Sequence, residues 1–252
     1  MEAIIDSLSA YYNGSPSLAY NTLEKMFLAN ELHLLQLLPQ IHYQGFLYRV
    51  RKERGLSSPK ELFHTPFENR TKCGSYRFSI LGYPSLYLAG SLETSIKESR
   101  IEDNNYSAIC FKSNTAIECI DLTLPNRELS LWERYSLVLF YPLIMACGLK
   151  VREENDTFKP EYVVPQLLFQ VISEHSNLMG VSYTTTRADH PDYRDSKQRN
   201  FVIKVPKAYI SRGQSKELAS LFECTLPISP EENDGILDIE LKLRDSLFIN
   251  VL

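Results

Sequence analysis

Residues 69–98 read NRTKCGSYRFSILGYPSLYLAGSLETSIKE and predict a turn, a short strand and a capped helix in succession. The glycine and proline in the middle of this stretch predict the turn. The LYLA segment that follows predicts a strand with its two leucines on one face and Tyr87 on the other. Ser91 then predicts the N-cap of a helix that carries Glu98.

Four polar side chains in this stretch are candidates for ligand binding, namely Arg70, Arg77, Tyr87 and Glu98. Alternating residue types around Arg77 predict a second extended segment, which turns this arginine away from the core face. Guanidinium groups bind phosphate, and an aromatic ring binds a flat cation. The combination therefore favours a ligand that carries both phosphate and positive charge.

Three separate pieces of the chain resemble the RES domain family. Residues 77–98 have its arginine–aromatic pair, glycine–proline turn, LYLA-like strand and helix with a glutamate. YVVPQLL at 162–168 resembles the proline–glutamine helix start of the family, and GVSYTT at 180–185 resembles its Gly-Ile-x-Tyr-x-Ser strand. The pieces occur in the family's order, and the match extends from about residue 63 to about residue 205.

RES proteins are NAD-degrading enzymes with an ADP-ribosyltransferase-like fold, and many are toxins held by an antitoxin. The resemblance implies an α+β fold, NAD as the substrate without a separate cofactor, and an antitoxin or other inhibitory protein partner. It places Arg77, Tyr87 and Glu98 on the family's catalytic arginine, tyrosine and glutamate. By that resemblance Arg77 positions phosphate or ribose, Tyr87 packs on the nicotinamide side, and Glu98 acts at the ribose.

Four further residues are candidates for contacts with the bound dinucleotide. Arg70 is either a second phosphate ligand or half of a surface salt bridge, and Gln166 either contacts the ligand or caps a helix. Tyr183 and Thr185 belong to the third family-like piece, where Thr185 stands in place of the family's serine. The threonine keeps a hydroxyl, but its methyl group narrows the pocket.

Cleavage of the nicotinamide–ribose bond passes through an oxocarbenium-like state, as in glycoside hydrolysis. Arginine suits the pyrophosphate, and a carboxylate stabilises the developing cation. We therefore expect an NAD glycohydrolase or NAD phosphorylase, a toxin or defence effector that depletes cellular NAD. Transfer of ADP-ribose to a macromolecule and a non-catalytic nucleotide-binding or protein-binding module are the alternatives. The departure at Thr185 adds weight to the module, and the presence of Arg77, Tyr87 and Glu98 weighs against it.

The composition is that of an ordinary soluble protein, with 44% hydrophobic and 23% charged residues in 252. A net charge of −4 argues against nucleic acid as a partner.

The chain has five scattered cysteines without a C-x-x-C pair, and its N-terminus is unlike a signal peptide. Both features predict a reduced, cytoplasmic protein. The apolar run 137–149 is too short to span a bilayer, so we expect a buried helix and no membrane partner. The histidines lack ligand spacing, and we predict no metal.

The sequence predicts two domains, a helical N-terminal extension at 1–55 and an RES-like domain at 56–252. The apolar face between Leu18 and Leu38 must be covered, either by the catalytic domain or by a second copy in a homo-oligomer. A second helical piece at 43–54 is rich in basic residues. It is either a solvated face or a contact for an acidic partner.

Predicted strands and helices alternate along the rest of the chain. The absence of G-x-G-x-x-G and P-loop motifs gives no support to a doubly wound nucleotide-binding fold and favours an α+β fold. The loop 187–199 is a candidate lid or partner-binding segment. The predicted strands are 107–111, 116–122, 179–185, 201–205 and an edge strand at 236–243, and the predicted helices are 130–147, 164–175 and 216–223.

Overall fold

The structure, a computed structural model, describes residues 2–28, 34–125, 127–188, 192, 195–206 and 212–252. The helices in these ranges are α1 (Glu2–Tyr12), α2 (Pro16–Leu28), α3 (Leu92–Glu98), α4 (Leu131–Cys147), α5 (Val163–His175), α6 (Lys216–Ala219) and α7 (Ile236–Arg244). The strands are β1 (Gln40–Tyr43), β2 (Phe46–Arg51), β3 (Ser85–Ala89), β4 (Ser107–Ser113), β5 (Ile117–Asp121), β6 (Gly180–Thr184), β7 (Arg199–Lys204), β8 (Phe222–Cys224) and β9 (Ile249–Asn250).

The described strands form one sheet in the order β1-β5-β6-β7-β3-β2-β4-β8-β9. Its strand pairs are antiparallel except β5 and β6, which run parallel. Strand β3 lies in the middle, with Tyr87 opposite Val202 of β7. A mixed sheet with helices packed on it confirms the predicted α+β class.

Strand β3 separates two parts of the core in the way its alternation predicts. Leu86 and Leu88 are buried with Phe111 and Phe201 on one face of the sheet. Tyr87 packs on the opposite face, in the cluster formed with α2, α4 and α5. The two-residue period of the strand thus fixes which face Tyr87 occupies.

Helices α1 and α2 pack against α5, which is the burial expected for the N-terminal apolar face. Leu23 and Phe27 of α2 are fully buried in the cluster that includes α4 and α5. At the rim, the Tyr20 hydroxyl donates to Glu174 Oε2 at 2.7 Å, and His175 Nε2 lies 2.7 Å from Glu24 Oε1. The later part of the chain therefore covers Leu23 and Phe27, whereas Leu18 stays 55% exposed.

The predicted helical piece at 43–54 is wrong, because β2 runs through it. Leu47 and Val50 are buried between β3 and β4, so side-chain burial in the sheet overrides the run of basic residues. Residues before and after position 55 thus share one sheet. The division into 1–55 and 56–252 stays a prediction.

The predicted edge strand at 236–243 is also wrong, because these residues form α7. Its N-terminus is capped by Asp238, which accepts from the Gly235 N–H at 3.2 Å. Ile239 and Leu243, one helical turn apart, are buried against the sheet, whereas Leu237 is 71% exposed. The sequence ILDIELKL fits both the two-residue period of a strand and the 3.6-residue period of a helix. The cap at Gly235 and Asp238 favours the helix.

Two smaller expectations around the sheet also fail. The residues around Arg77 form turns rather than an extended segment, and the predicted helix 216–223 divides into α6 and β8. The apolar run 137–149 is helical, but α4 buries only one of its faces. Among the described helices, none has the length and hydropathy needed to cross a membrane.

Gly180 gives a stability prediction, because a Cβ atom there would lie 1.9 Å from the Val202 carbonyl oxygen of the neighbouring strand. Gly180→Ala should force β6 and β7 apart and lower the free energy of unfolding by about 3 kcal/mol or more. Gly148→Ala is the matched control, since its Cβ would meet Ile144 O at an ordinary 3.4 Å. Urea unfolding midpoints measure both, and equal midpoints would contradict the close approach.

Candidate active site

A cavity of about 590 Å³ lies where β2, β3, α3 and β6 meet. These elements contribute Arg49, Tyr87, Glu98 and Tyr183 to its walls. A larger cleft of about 1480 Å³ adjoins it, and Arg49 lines both spaces. The smaller space has the size of a small-molecule site, and the two together offer room for an extended ligand.

Glu98 is held by two donors from distant parts of the chain. Its helix, α3, starts at Ser91, whose Oγ accepts from the Thr94 N–H as the sequence predicts. At the other end of α3, Glu98 Oε1 accepts from Thr185 Oγ1 at 2.6 Å and from Asn200 Nδ2 at 2.7 Å. Two donors thereby fix one carboxylate oxygen, while the other, Oε2, accepts neither of these hydrogen bonds.

Tyrosine rings form one wall of the cavity. The Tyr87 hydroxyl donates to Phe78 O at 2.9 Å, and its ring meets Tyr76 edge to face at 5.7 Å. The Tyr183 ring lies 5.0 Å from that of Phe78. Burial raises the pKa of Tyr87 and of Tyr183 well above the usual phenol value, so both stay neutral. The wall offers aromatic faces without negative charge.

The Arg77 guanidinium is already engaged by the protein. It donates to Cys147 O at 2.9 Å and to Thr186 Oγ1 at 3.0 Å, and it lies 5.2 Å from the Tyr162 ring centroid. These contacts tie the end of α4 to the segment after β6. Arg77 lines the cavity, but its hydrogen bonds make it a structural link as well.

Arg49 lines the cavity, whereas the sequence predicts it on the basic face of a helix. Its nearest polar contact is a long hydrogen bond of 3.5 Å to Tyr87 O, and no ion pair to a carboxylate is found within the described ranges. Burial lowers its pKa to about 10. The alternation in FLYRVR, read as a strand, was the signal that could have found this residue.

The other predicted contacts are divided between the cavity and its surroundings. Tyr183 lines the cavity and Thr185 reaches it through Glu98. Gln166, near the start of α5, instead donates to Tyr76 O at 2.8 Å and so holds the turn that precedes Arg77. Arg70 lies outside the cavity lining and stacks 5.4 Å from the centroid of the Phe67 ring.

Arg187 closes one side of the site. Its Nε lies 3.4 Å from Glu98 Oε2, and its Nη1 lies 3.1 Å from Glu154 Oε1. Glu154 also pairs with Arg100, at the end of α3. The second oxygen of Glu98 is therefore opposite a cation that has its own carboxylate partner.

No protein-family model matches the chain. A protein of Bacillus subtilis (strain 168) with the name "Putative toxin YopC" is 26% identical over 275 residues, an alignment that takes in 98% of this chain. The chain spans 62% of the length of that relative. A chain in the crystal structure of the M. tuberculosis MbcT-MbcA toxin-antitoxin complex aligns with a TM-score of 0.44 and 13% identity. That alignment covers 84% of this chain and 97% of the other.

Arg49 and Arg77, two of the arginines that line the cavity, should differ in how the free energy of unfolding responds to loss of their charge. Arg49→Met removes a half-buried cation without an ion-pair partner, so the free energy of unfolding should stay within about 1 kcal/mol or rise. Arg77→Met deprives two acceptors of a donor and should lower that free energy by about 2 kcal/mol or more. Thermal and urea unfolding measure both, and a greater loss for Arg49→Met would refute its assignment as unpaired.

Proposed function

We propose that this chain is an NAD-degrading enzyme that cleaves the bond between nicotinamide and ribose. The main support for this proposal is the position of the Glu98 carboxylate. One of its oxygens accepts from Thr185 and Asn200, and it lies in a cavity with tyrosine residues in its wall. A carboxylate fixed in this way is preorganised to stabilise a developing cation. On this proposal the fold is an ADP-ribosyltransferase-like RES domain, as the sequence resemblance implies.

Glu98 acts on the ribose of the nicotinamide half. As the C1′–N bond breaks, its electron pair leaves with nicotinamide and neutralises the pyridinium charge, while positive charge spreads over C1′ and the ring oxygen. Glu98 Oε2, once Arg187 has moved away from it, accepts from a ribose hydroxyl and stabilises this charge. Water then attacks C1′ and loses a proton, giving ADP-ribose; if inorganic phosphate attacks instead, the product is an ADP-ribose phosphate.

The nicotinamide ring packs on the wall that Tyr87 and Tyr183 form, where neutral phenol rings favour a flat cation. Arg187 leaves Glu98 Oε2 when the ribose hydroxyl takes its place, and Glu154 retains the displaced guanidinium. Access of substrate to Glu98 thus depends on movement of Arg187, which keeps its ion pair with Glu154.

The pyrophosphate lies beside Arg49, between the cavity and the larger cleft. Arg49 has room for a new anionic partner, and binding phosphate there compensates a half-buried charge. Lys60, Lys72 and Lys216 line the same cleft and extend the positive charge toward the adenylate end. Arg77 keeps the wall in place and adds positive charge nearby, while Gln166 and Arg70 act outside the contact surface.

The biological role we assign is that of a toxin restrained by an inhibitory protein. The relative named as a toxin supports this role, and it extends well beyond the length of this chain. NAD is abundant in the cytoplasm, and the five thiols of the chain are free, as in a reducing compartment. The proposed site uses neither a metal nor a separate cofactor.

Glu98→Gln should lower NAD turnover by on the order of a hundred-fold or more, because the amide keeps the shape but loses the charge. Glu93→Gln is the matched control. Glu93 stands on the same helix, is exposed and pairs with Lys97 at 2.7 Å, so its loss should leave turnover within about two-fold. Purified variants are incubated with NAD and the products are separated by chromatography. Equal rates for both variants would remove Glu98 from the site.

The products of the same assay separate the candidate functions. Free nicotinamide with ADP-ribose indicates hydrolysis, and a product that requires added phosphate indicates phosphorolysis. Label from adenine-labelled NAD that remains on protein indicates ADP-ribose transfer. Unchanged NAD with wild-type protein contradicts the enzymatic proposal and leaves a nucleotide-binding module.

Expression of the wild-type chain in a bacterium without its inhibitor should lower cellular NAD and stop growth. Glu98→Gln, expressed to the same level, should do neither, because it lacks the charge on which cleavage depends. Growth curves and enzymatic NAD measurements check this. Arrest with an unchanged NAD pool would count against NAD depletion and favour modification of a macromolecule.

A further inference from the structure

Helix α4 is apolar on both of its long faces. Its inner face buries Phe140, Leu143 and Ile144 against the core, and Phe140 stacks on Phe27 of α2 with centroids 6.3 Å apart. The outer face turns away from the described chain, yet most of its side chains are large and apolar. From residue 135 to residue 149 the sequence YSLVLFYPLIMACGL contains no charged side chain.

The outer face is a continuous stripe. Residues 131, 135, 138, 142, 145 and 149 follow one another at intervals of four and three, so they lie along one side of the helix and the turn after it. Leu131 is 85% exposed and Val138 is 75% exposed. The remaining large apolar side chains on this side are exposed as well, namely Trp132, Tyr135, Leu139, Tyr141, Met145 and Leu149.

The area of this face is that of a protein interface. Large side chains bury ~150–250 Å² each, and the exposed fractions here amount to roughly 800 Å² of mostly apolar surface. That exceeds the ~300–600 Å² of the largest apolar patch on a typical monomer. It matches the ~800 Å² that each partner contributes to a standard interface. A helix that is apolar all round is normally buried all round.

We propose that the outer face of α4 is covered by α4 of a second copy of the chain, in a two-fold symmetric dimer. Two copies that cross about an axis near the middle of the helix place the same stripe on both sides, as an isologous interface requires. The intervals of four and three suit packing of one helix on another. The middle of the helix, around Val138, then lies at the centre of the interface.

Charge and composition favour a second copy as the occupant. The six stripe positions carry no charge, and Arg134 at the border of the stripe donates to Leu129 O at 3.0 Å. An uncharged stripe is complementary to another copy of itself. Tyrosine, tryptophan and methionine, which are enriched at interface centres, occur here with aliphatic residues and without lysine or glutamate. The dimer rests on this face alone and is independent of the chemistry proposed for the cavity.

Sedimentation equilibrium of the full-length chain tests the dimer. Wild-type protein at micromolar concentrations should have twice the chain mass of 29.0 kDa. Val138→Glu buries a carboxylate at the centre of the interface and should raise the dissociation constant on the order of a hundred-fold or more. Leu247→Glu is the matched control, since Leu247 is 81% exposed and lies outside α4, and it should leave the dissociation constant unchanged. Circular dichroism establishes that each variant is folded.

A cross-linking measurement locates the contact independently. In the proposed dimer, the thiol that Val138→Cys introduces in one copy lies near the same thiol in the other copy, so a short bis-maleimide reagent should join the two chains. The control variant Leu247→Cys should give only the background cross-linking of the native thiols. Wild-type protein that stays monomeric at high micromolar concentration overturns the proposal. A dimer that Val138→Glu leaves intact and Val138→Cys fails to cross-link overturns it as well, because the contact is then elsewhere.

Discussion

The candidate site depends on the two hydrogen bonds that Glu98 accepts. Thr185 follows β6, Asn200 belongs to β7, and Glu98 ends α3, so the carboxylate joins segments about a hundred residues apart in the chain. The geometry requires α3 to start close to the segment before β7. Gly90 permits this, because its N–H donates to Arg199 O at 2.7 Å and a Cβ atom there would lie 2.4 Å from Ser196 O. Backbone packing around a glycine therefore sets the position of the carboxylate.

Arg49 and Arg77, two of the arginines that line the cavity, are held by the protein to different degrees. Arg77 has hydrogen-bond partners on two sides and helps to hold the walls together. Arg49 is half-buried with a single long contact, an arrangement that a fold selected only for stability would avoid. On the proposed function, a bound pyrophosphate supplies the partner that this half-buried cation lacks. Two side chains of the same type thus have different surroundings within one cavity.

The parts of the fold that the sequence predicts well depend on local rules. The LYLA strand and the Ser91 cap require only alternation and a side-chain acceptor, and both occur as predicted. The strand prediction for 236–243 is wrong because the apolar residues there fit both the two-residue period of a strand and the 3.6-residue period of a helix. The sequence does not identify Arg49 as a site residue, because its burial comes from β3 and β4, which flank β2. The residues next to Asn200 in the sequence form no pattern that indicates a site residue. Its importance arises only when strand pairing brings it to Glu98, which a single sequence does not reveal.

Helix α4 connects the outer surface of the protein with the candidate site. One of its faces is bare and apolar, another packs on the N-terminal helices through Phe140, and its last residue, Cys147, accepts a hydrogen bond from Arg77. The N-terminal helices are therefore needed for burial on one side of α4 even though they contribute no residue to the cavity lining. The C-terminal end of α4 meets the cavity lining directly, because Cys147 O accepts from Arg77 at 2.9 Å. Helix α4 thus contributes one face to the proposed interface and one backbone acceptor to the surroundings of the candidate site, while the residues proposed for the chemistry belong to other elements.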